Sequence, residues 1–110
     1  MLLNGGELEG VRVLGRKTVA LMMASHTQTL GAGAVAPAFG FGYGGSVRES
    51  LGGSPRAGSA GAFNWSGIFG TYFWVDPEER LVAILMHQLT PRNSRAAELF
   101  HALTYAAIAD

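Results

Sequence analysis

The apolar run at residues 81–86, Leu-Val-Ala-Ile-Leu-Met, is the feature that most limits how this chain can fold. Because side chains alternate between the two faces of a strand, a strand that is apolar at every position needs cover on both faces. Strands of this kind usually lie in the middle of a sheet. We therefore predict a central buried strand over residues 81–88, and the fold must supply a layer on each side of it.

The chain offers few elements that can form those layers. A short amphipathic helix is predicted over residues 16–24. A longer helix follows Thr90, which suits the cap, and Pro91, which suits the first helical position. This longer helix carries an apolar stripe and can cover one face of the sheet. The other face is then left to solvent or to a partner.

Four side chains are predicted on that uncovered face of the sheet. They are Trp74, Val82, Ile84 and Met86. An exposed patch of large apolar side chains usually marks an interface. The sequence therefore indicates that the chain is one part of something larger.

Two further strands are predicted ahead of the central one. Residues 39–47 alternate aromatic side chains with glycine, which is typical of a strand with one bare face. Residues 69–75 alternate in a similar way, and Pro77 marks the turn between them and the central strand. Together these elements predict an α+β fold: an antiparallel sheet of about three main strands with a C-terminal helix packed on one face.

The length and charge of the chain exclude several classes of protein. With 110 residues it has room for one small domain. Its 8 basic and 8 acidic residues give no net charge, which removes the electrostatic argument for a nucleic-acid partner. The absence of cysteine excludes disulfides, thiolate zinc sites and cysteine nucleophiles. No apolar run reaches the ~20 residues of a membrane span, so no span is predicted.

Motifs for metals, cofactors and nucleophiles are also missing. His26, His87 and His101 are scattered without ligand spacing, so no metal site is predicted, and no cofactor is predicted either. Residues 40–45 match the G-x-G-x-x-G pattern of dinucleotide-binding proteins. The match does not predict a dinucleotide site, because a strand and not a helix follows the last glycine. No serine has the G-x-S-x-G context, and the chain holds no S-x-x-K or Y-x-N motif. Taken alone, the chain lacks an activated nucleophile.

One stretch, residues 59–77, carries a recognisable pattern. It contains an aromatic–small–glycine triplet, Trp65-Ser66-Gly67, and then a Gly-Thr pair at the head of an aromatic strand that ends in Asp-Pro. This pattern resembles the third active-site motif of the serine β-lactamase and penicillin-binding-protein superfamily. The resemblance is strongest to its class C β-lactamase and family VIII carboxylesterase branches.

The segments around the motif resemble the same superfamily. Four of them match its C-terminal third in the same order, namely residues 3–6, 14–19, 39–44 and 81–86. The resemblance implies a sheet with the N- and C-terminal helices on one face and an all-helical region on the other. In that family the catalytic residues of S-x-x-K and Y-x-N lie upstream of the matched region. It follows that residues 1–110 would be a single partial domain whose N-terminal part is missing.

The resemblance also implies roles for the triplet and for the residue after it. The strand edge at Trp65, Ser66 and Gly67 would dock the substrate, and the backbone N–H of Ile68 would be one of two oxyanion-hole donors. β-Lactamases usually have lysine where this chain has Trp65, and lysine helps to bind a carboxylate. An indole offers area and a single N–H donor instead, which favours apolar ester or amide substrates. The competing interpretation of the triplet is a bend around a buried tryptophan.

Two functions from different classes remain open on the sequence. The first is the C-terminal fragment of a β-lactamase-related serine hydrolase, esterase-like, which forms an acyl-enzyme on an upstream serine and is inactive without it. The alternative is a non-catalytic homo-oligomeric binding module in which a second copy covers the apolar strand. The compartment stays unassigned, because any targeting signal would lie upstream of Met1.

Overall fold

The computed structural model describes residues 1–27, 37–90 and 94–109 of the chain. Within these residues the elements follow in the order β1 (Glu7–Leu8), β2 (Val11–Arg12), α1 (Arg16–Met22), β3 (Phe39–Phe41), β4 (Ser46–Arg48), β5 (Phe63–Ser66), β6 (Tyr72–Asp76), β7 (Leu81–Leu85) and α2 (Ser94–Ala106). The predicted α+β class is confirmed. Among the described residues, no helix combines the length and the hydropathy that crossing a bilayer requires.

The main sheet is an antiparallel meander in which strands that are neighbours in sequence are also neighbours in space. Its order is β3-β4-β5-β6-β7 within the described part of the chain. The prediction of about three main strands is therefore wrong in number, since the sheet has five. β1 and β2 pair separately as a small two-stranded sheet.

The undercount of strands has two local causes. The strand predicted over residues 39–47 is a hairpin, in which the Gly42 N–H donates to the Gly45 carbonyl at 2.8 Å. Alternating glycine suits a strand, but glycine also permits the turn conformation that Gly44 adopts, with a φ of 89°. The second cause is β5, whose 4 residues are too few to show a clear period.

The predicted helices are present with shorter bounds than expected. The first was predicted over residues 16–24 and spans Arg16–Met22. α2 begins at Ser94, and the helix start predicted at Pro91 lies outside the described residues. The strand predicted as central and buried over residues 81–88 forms over Leu81–Leu85. Among the described residues it is the last strand of the sheet and pairs with β6 alone, so the prediction of a central, buried position is wrong.

The residues of β6 alternate between the two faces of the main sheet. Tyr72, Trp74 and Asp76 are buried on the side that carries α2, which we call the helix-covered face. Trp74 is 1% exposed and lies against Phe100 of α2, with ring centroids 5.5 Å apart. The prediction that Trp74 faces solvent or a partner is therefore wrong, because α2 occupies that side of β6.

Asp76 joins α2 to the sheet and to the loop before β5. The residue is fully buried, and its Oδ2 accepts hydrogen bonds from the Tyr105 hydroxyl at 2.7 Å and from the Ser59 N–H at 3.0 Å. Its Oδ1 accepts from the backbone N–H groups of Glu78 and Glu79, in the predicted turn after β6. Several donors on one carboxylate offset the cost of removing its charge from water.

The opposite side of the main sheet, which we call the open face, is uncovered near β7. In the strand register Trp65, Phe73 and Ile84 lie directly opposite one another on this face. Val82 is on the same side of β7, and Met86 follows the strand. As predicted, Val82, Ile84 and Met86 are exposed, Met86 by 80%. An antiparallel sheet with one face on helices and one face open usually has a polar open face, whereas this one is apolar.

Candidate functional site

The triplet predicted as the site ends β5 and enters a tight turn. The Gly67 N–H donates to the Thr71 carbonyl at 2.8 Å, and the Gly70 N–H donates to the Gly67 carbonyl at 3.1 Å, which closes a β-turn. Neither Ile68 nor Phe69 has a positive φ, whereas Gly70 has a φ of 100°. The turn is therefore of type I and is followed by a left-handed glycine, a common connection between antiparallel strands.

Ile68 occupies the second position of this turn, where the turn does not use the backbone N–H. The hydrogen bond that defines the turn joins the carbonyl of its first residue to the N–H of its fourth. Within the described part of the chain, the Ile68 N–H has no hydrogen-bond acceptor, and the residue is 79% exposed. An unpaired amide at a fixed strand end can stabilise an oxyanion, because it is in place before the negative charge develops.

The side chains of the triplet lie at different depths. Trp65 is 43% exposed on the open face, and it packs edge to face on Phe41 with ring centroids 4.9 Å apart. This exposure contradicts the competing interpretation of a bend around a buried tryptophan. Ser66 is partly buried and lies on the helix-covered side of β5. Gly67 lies so close to the Thr71 hydroxyl that a Cβ at this position would overlap it, which accounts for glycine at the end of the triplet.

A recess of about 370 Å³ lies beside the triplet. Its walls come from the end of β5, the start of β6 and the end of β7. The lining residues are Trp65, Ser66, Gly67, Thr71, Tyr72, Phe73, Ile84, Leu85 and Met86. None of these residues is acidic or basic, and most of their side chains are apolar. The recess therefore suits an uncharged, apolar group.

Three residues near the triplet were missed by sequence reasoning. Ile84 and Met86 line the recess. His87 lies against Gly70, with its Nδ1 3.4 Å from the Gly70 carbonyl oxygen. The register between β6 and β7 brings these residues to the turn, and no local sequence pattern reports that register. The only sequence signal was the apolar run of β7, which indicated an uncovered surface and not a site.

The three titratable groups with shifted pKa values, Asp76, His101 and Tyr105, lie on the helix-covered face and do not line the recess. Burial, together with the charges of Arg56 and Arg48, lowers the pKa of His101 to about 4. Burial and the hydrogen bond to Asp76 raise the pKa of Tyr105. Burial opposes the charged form of Asp76, but hydrogen bonds from Tyr105 and from backbone N–H groups outweigh it and lower the pKa of Asp76. These groups attach α2 to the sheet.

The three histidines lie in separate environments. His26 stacks on Tyr43, His87 lies beside the turn, and His101 is the α2 residue buried against Trp74. In the part of the chain that the structure describes, no group of three or more His, Cys, Asp or Glu side chains could hold a metal ion.

The family model described as beta-lactamase matches residues 2–108. Because this match covers nearly the whole chain, the chain belongs to the beta-lactamase family, within the serine β-lactamase and penicillin-binding-protein superfamily. No curated protein sequence matches the chain.

Three solved structures show the same fold. EstCE1, a hydrolase with promiscuous acyltransferase activity, is 24% identical with a TM-score of 0.72, and the alignment covers 94% of this chain and 26% of EstCE1. Simvastatin synthase (LovD) from Aspergillus terreus is 20% identical with a TM-score of 0.71, covering 96% of this chain and 30% of LovD. A penicillin-binding-protein homolog from Caulobacter crescentus is 22% identical with a TM-score of 0.67, covering 97% and 29%. The chain thus spans less than a third of each of these proteins.

Proposed function

We propose that residues 1–110 are a single partial domain, the C-terminal part of an esterase-like serine hydrolase. In the complete enzyme an upstream serine attacks the carbonyl carbon of an ester or amide, the alcohol or amine leaves, and water hydrolyses the acyl-enzyme. The Ile68 N–H is one of two donors to the oxyanion of the tetrahedral intermediate. The strand edge at Trp65, Ser66 and Gly67 docks the substrate.

The unpaired amide of Ile68 is the observation that carries this proposal. The hydrogen bonds of the turn do not use this N–H, and it has no acceptor among the described residues. It lies directly after the triplet. A donor at the end of a hydrogen-bonded hairpin has little freedom to move, so little reorganisation is needed when charge develops on the substrate oxygen. The neighbouring recess provides room for the group attached to the reacting carbonyl.

The lining of the recess supports an apolar substrate. Trp65 places an indole where a lysine would attract a carboxylate, and Ile84 and Met86 continue the apolar surface. Charged substrates would have to give up hydration there without gaining a partner. An ester or amide with an apolar acyl group fits this surface better than an anionic β-lactam.

A second part of the same fold completes the proposed enzyme. The chain contains no S-x-x-K or Y-x-N motif, so the nucleophile and its activating groups must come from elsewhere. The apolar side chains of the open face would become buried beneath that part. The short span of the chain relative to similar structures, 26%, 30% and 29% of their lengths, supports this arrangement.

An acyl-transfer assay tests the proposal. The 110-residue chain is assayed on p-nitrophenyl butyrate alone and then combined with the N-terminal portion of a related hydrolase that carries both missing motifs. We expect no turnover from the chain alone and release of p-nitrophenol from the combination. Robust turnover by the chain alone would contradict the argument for a missing nucleophile. A stable combination that fails to turn over the ester would contradict the proposed role of the chain.

Two variants of Ile68 separate the amide from the side chain. Ile68→Pro removes the N–H, and proline is favoured at the second position of a type I turn, so the turn is preserved. Ile68→Ala removes most of the same side chain and keeps the N–H. We expect Ile68→Pro to lower kcat about 10²–10³-fold, as loss of one oxyanion donor does, and Ile68→Ala to stay close to the parent. Equal rates for the two variants would exclude the amide as a donor.

The open face also favours the second candidate function, a non-catalytic homo-oligomeric binding module. Ile84 is 60% exposed and Met86 80%, and a second copy of the chain could cover both. Light scattering and thermal melting distinguish the two functions. A stable, monodisperse dimer whose melting temperature rises with concentration supports the module, whereas a chain that stays monomeric, or aggregates unless the N-terminal portion is added, supports the partial domain.

A further inference from the structure

The turn that carries Ile68 is held from one side by the segment that follows β7. The Leu89 N–H donates to the Phe69 carbonyl at 2.8 Å. Two residues earlier in the chain, His87 Nδ1 lies 3.4 Å from the Gly70 carbonyl oxygen. The segment after β7 therefore contacts two consecutive carbonyls of the turn, those of Phe69 and Gly70.

The contact between His87 and Gly70 is steric as well as polar. A Cβ at Gly70 would overlap the imidazole ring of His87. The φ of Gly70 is 100°, a conformation that other residues rarely adopt. Position 70 therefore requires glycine for two reasons: its positive φ and the close contact with the ring of His87. The ring fills the space beside Gly70 and limits how far the turn can move toward β7.

The chemistry of the contact determines where His87 carries its proton. A carbonyl oxygen only accepts hydrogen bonds, so Nδ1 must bear a hydrogen for a favourable interaction. A neutral ring protonated only on Nε2 would place two acceptors against each other. At 3.4 Å the bond is long. Its effect is therefore on the tautomer and orientation of the ring more than on the stability of the fold.

We propose that His87 is a positioning residue for the Ile68 amide. It donates Nδ1–H to the Gly70 carbonyl, fills the space beside that residue, and so holds the turn in the geometry that presents the Ile68 N–H. This inference rests on the proposed function, because the amide geometry affects a rate only if an oxyanion forms there. A misplacement of about 1 Å can lower a rate about a hundredfold, so even a small shift of the turn is measurable.

The test compares His87→Asn, which keeps an N–H donor near the place of Nδ1, with His87→Ala, which removes both donor and ring. Amide NMR spectra are recorded on the 110-residue chain and on the chain bound to the N-terminal portion. We expect His87→Ala to shift the Ile68 and Gly70 amide resonances and His87→Asn to restore them. His26→Ala is the matched control, because the ring of His26 also contacts a carbonyl, that of Leu21 at 2.8 Å, away from the turn.

Three results would overturn the inference. The first is a ring whose ¹⁵N shifts show protonation on Nε2 alone. The second is a His87→Ala spectrum in which the Ile68 and Gly70 amides have not moved. The third is a His87→Asn spectrum that differs from the parent as much as the alanine variant does.

Kinetics of the combined enzyme separate this inference from the proposed function. We expect His87→Ala to lower kcat about tenfold with little change in KM, and His87→Asn to recover most of the loss. If the parent combination shows no turnover, the proposed function fails. The NMR result then still decides whether His87 sets the geometry of the turn.

Discussion

The two faces of the main sheet differ in what covers them, although both are built from the same strands. On the helix-covered face Trp74 is 1% exposed and contacts rings of α2, including Phe100 and Tyr105. On the open face Ile84 and Met86 are apolar and exposed. The comparison shows that apolar side chains on both faces of a strand favour burial of both faces. They do not determine on which face of the sheet α2 packs.

The two faces also differ in polar content. The helix-covered face contains a buried carboxylate, Asp76, that accepts a hydrogen bond from α2, and a buried guanidinium, Arg48, that donates to backbone carbonyls of residues 50–57. The described side chains of the open face near β7 are mostly apolar and include no charged group in the recess. Directional hydrogen bonds therefore specify how α2 docks, whereas a partner on the open face would be bound mainly by apolar burial.

The largest test of this difference is to truncate one tryptophan on each face. Trp74→Ala is expected to lower the free energy of unfolding by about 3–5 kcal/mol, because it empties a packed site. Trp65→Ala removes an exposed ring and should cost about 1 kcal/mol or less. Urea denaturation measures both, and Trp74→Phe, which keeps a ring, should fall between them. Equal losses from the two alanine variants would remove the distinction between the faces.

The pH dependence of stability tests the helix-covered face alone. The pKa of His101 is lowered from 6.5 to about 4, so between these pH values the unfolded chain binds a proton that the folded chain does not. The free energy of unfolding should therefore fall as pH drops from 6.5 to 4, by at most about 3 kcal/mol. Asp76, whose pKa is lowered, stabilises the fold above its usual pKa of 3.8, and this contribution is lost at still lower pH.

His101→Phe is the control for that measurement. The variant keeps an aromatic ring against Trp74 but has no titrating group, so its stability should be flatter between pH 6.5 and 4. A parent protein whose stability is constant over this interval would show that His101 is not held in its neutral form.

A smaller effect is expected from the hydrogen bond that joins α2 to the sheet. Tyr105→Phe removes the hydroxyl that donates to Asp76 at 2.7 Å and keeps the ring. Hydrogen bonds to charged groups contribute about 1.5–3 kcal/mol, and we expect a loss in this range by urea denaturation. Tyr43→Phe is the matched control, because Tyr43 is exposed and should tolerate the change. Similar values for the two variants would mean that the bond to Asp76 does not secure α2.

The smallest effect is expected on the open face. Ile84→Ser should change the free energy of unfolding by less than about 0.5 kcal/mol, because the side chain is already in contact with water. Light scattering on the same variant shows whether its oligomeric state differs from that of the parent. A loss well above that value, accompanied by dissociation of a dimer, would show that a second copy covers this face and would favour the binding module.

Sequence reasoning located the triplet but not its surroundings. Trp65 to Ile68 are contiguous, so a local pattern could identify them, although their roles remain proposals. Ile84 and His87 reach the same region only through the pairing of β6 with β7. The hairpin at residues 39–48 was predicted as one strand, because alternating glycine is compatible with a single strand and with a hairpin. Only the cross-strand hydrogen bonds distinguish these two structures.

The sequence by itself determined that residues 81–86 are apolar at every position, that no nucleophile motif is present, and that the triplet resembles a known active-site motif. These conclusions depend only on the polarity and identity of residues close together in the chain. The tertiary structure alone decided that α2 lies over Trp74 and leaves Ile84 open, and that the Ile68 amide has no acceptor among the residues that the structure describes. Those outcomes depend on strand register and on hydrogen bonds between distant residues, which local polarity does not encode.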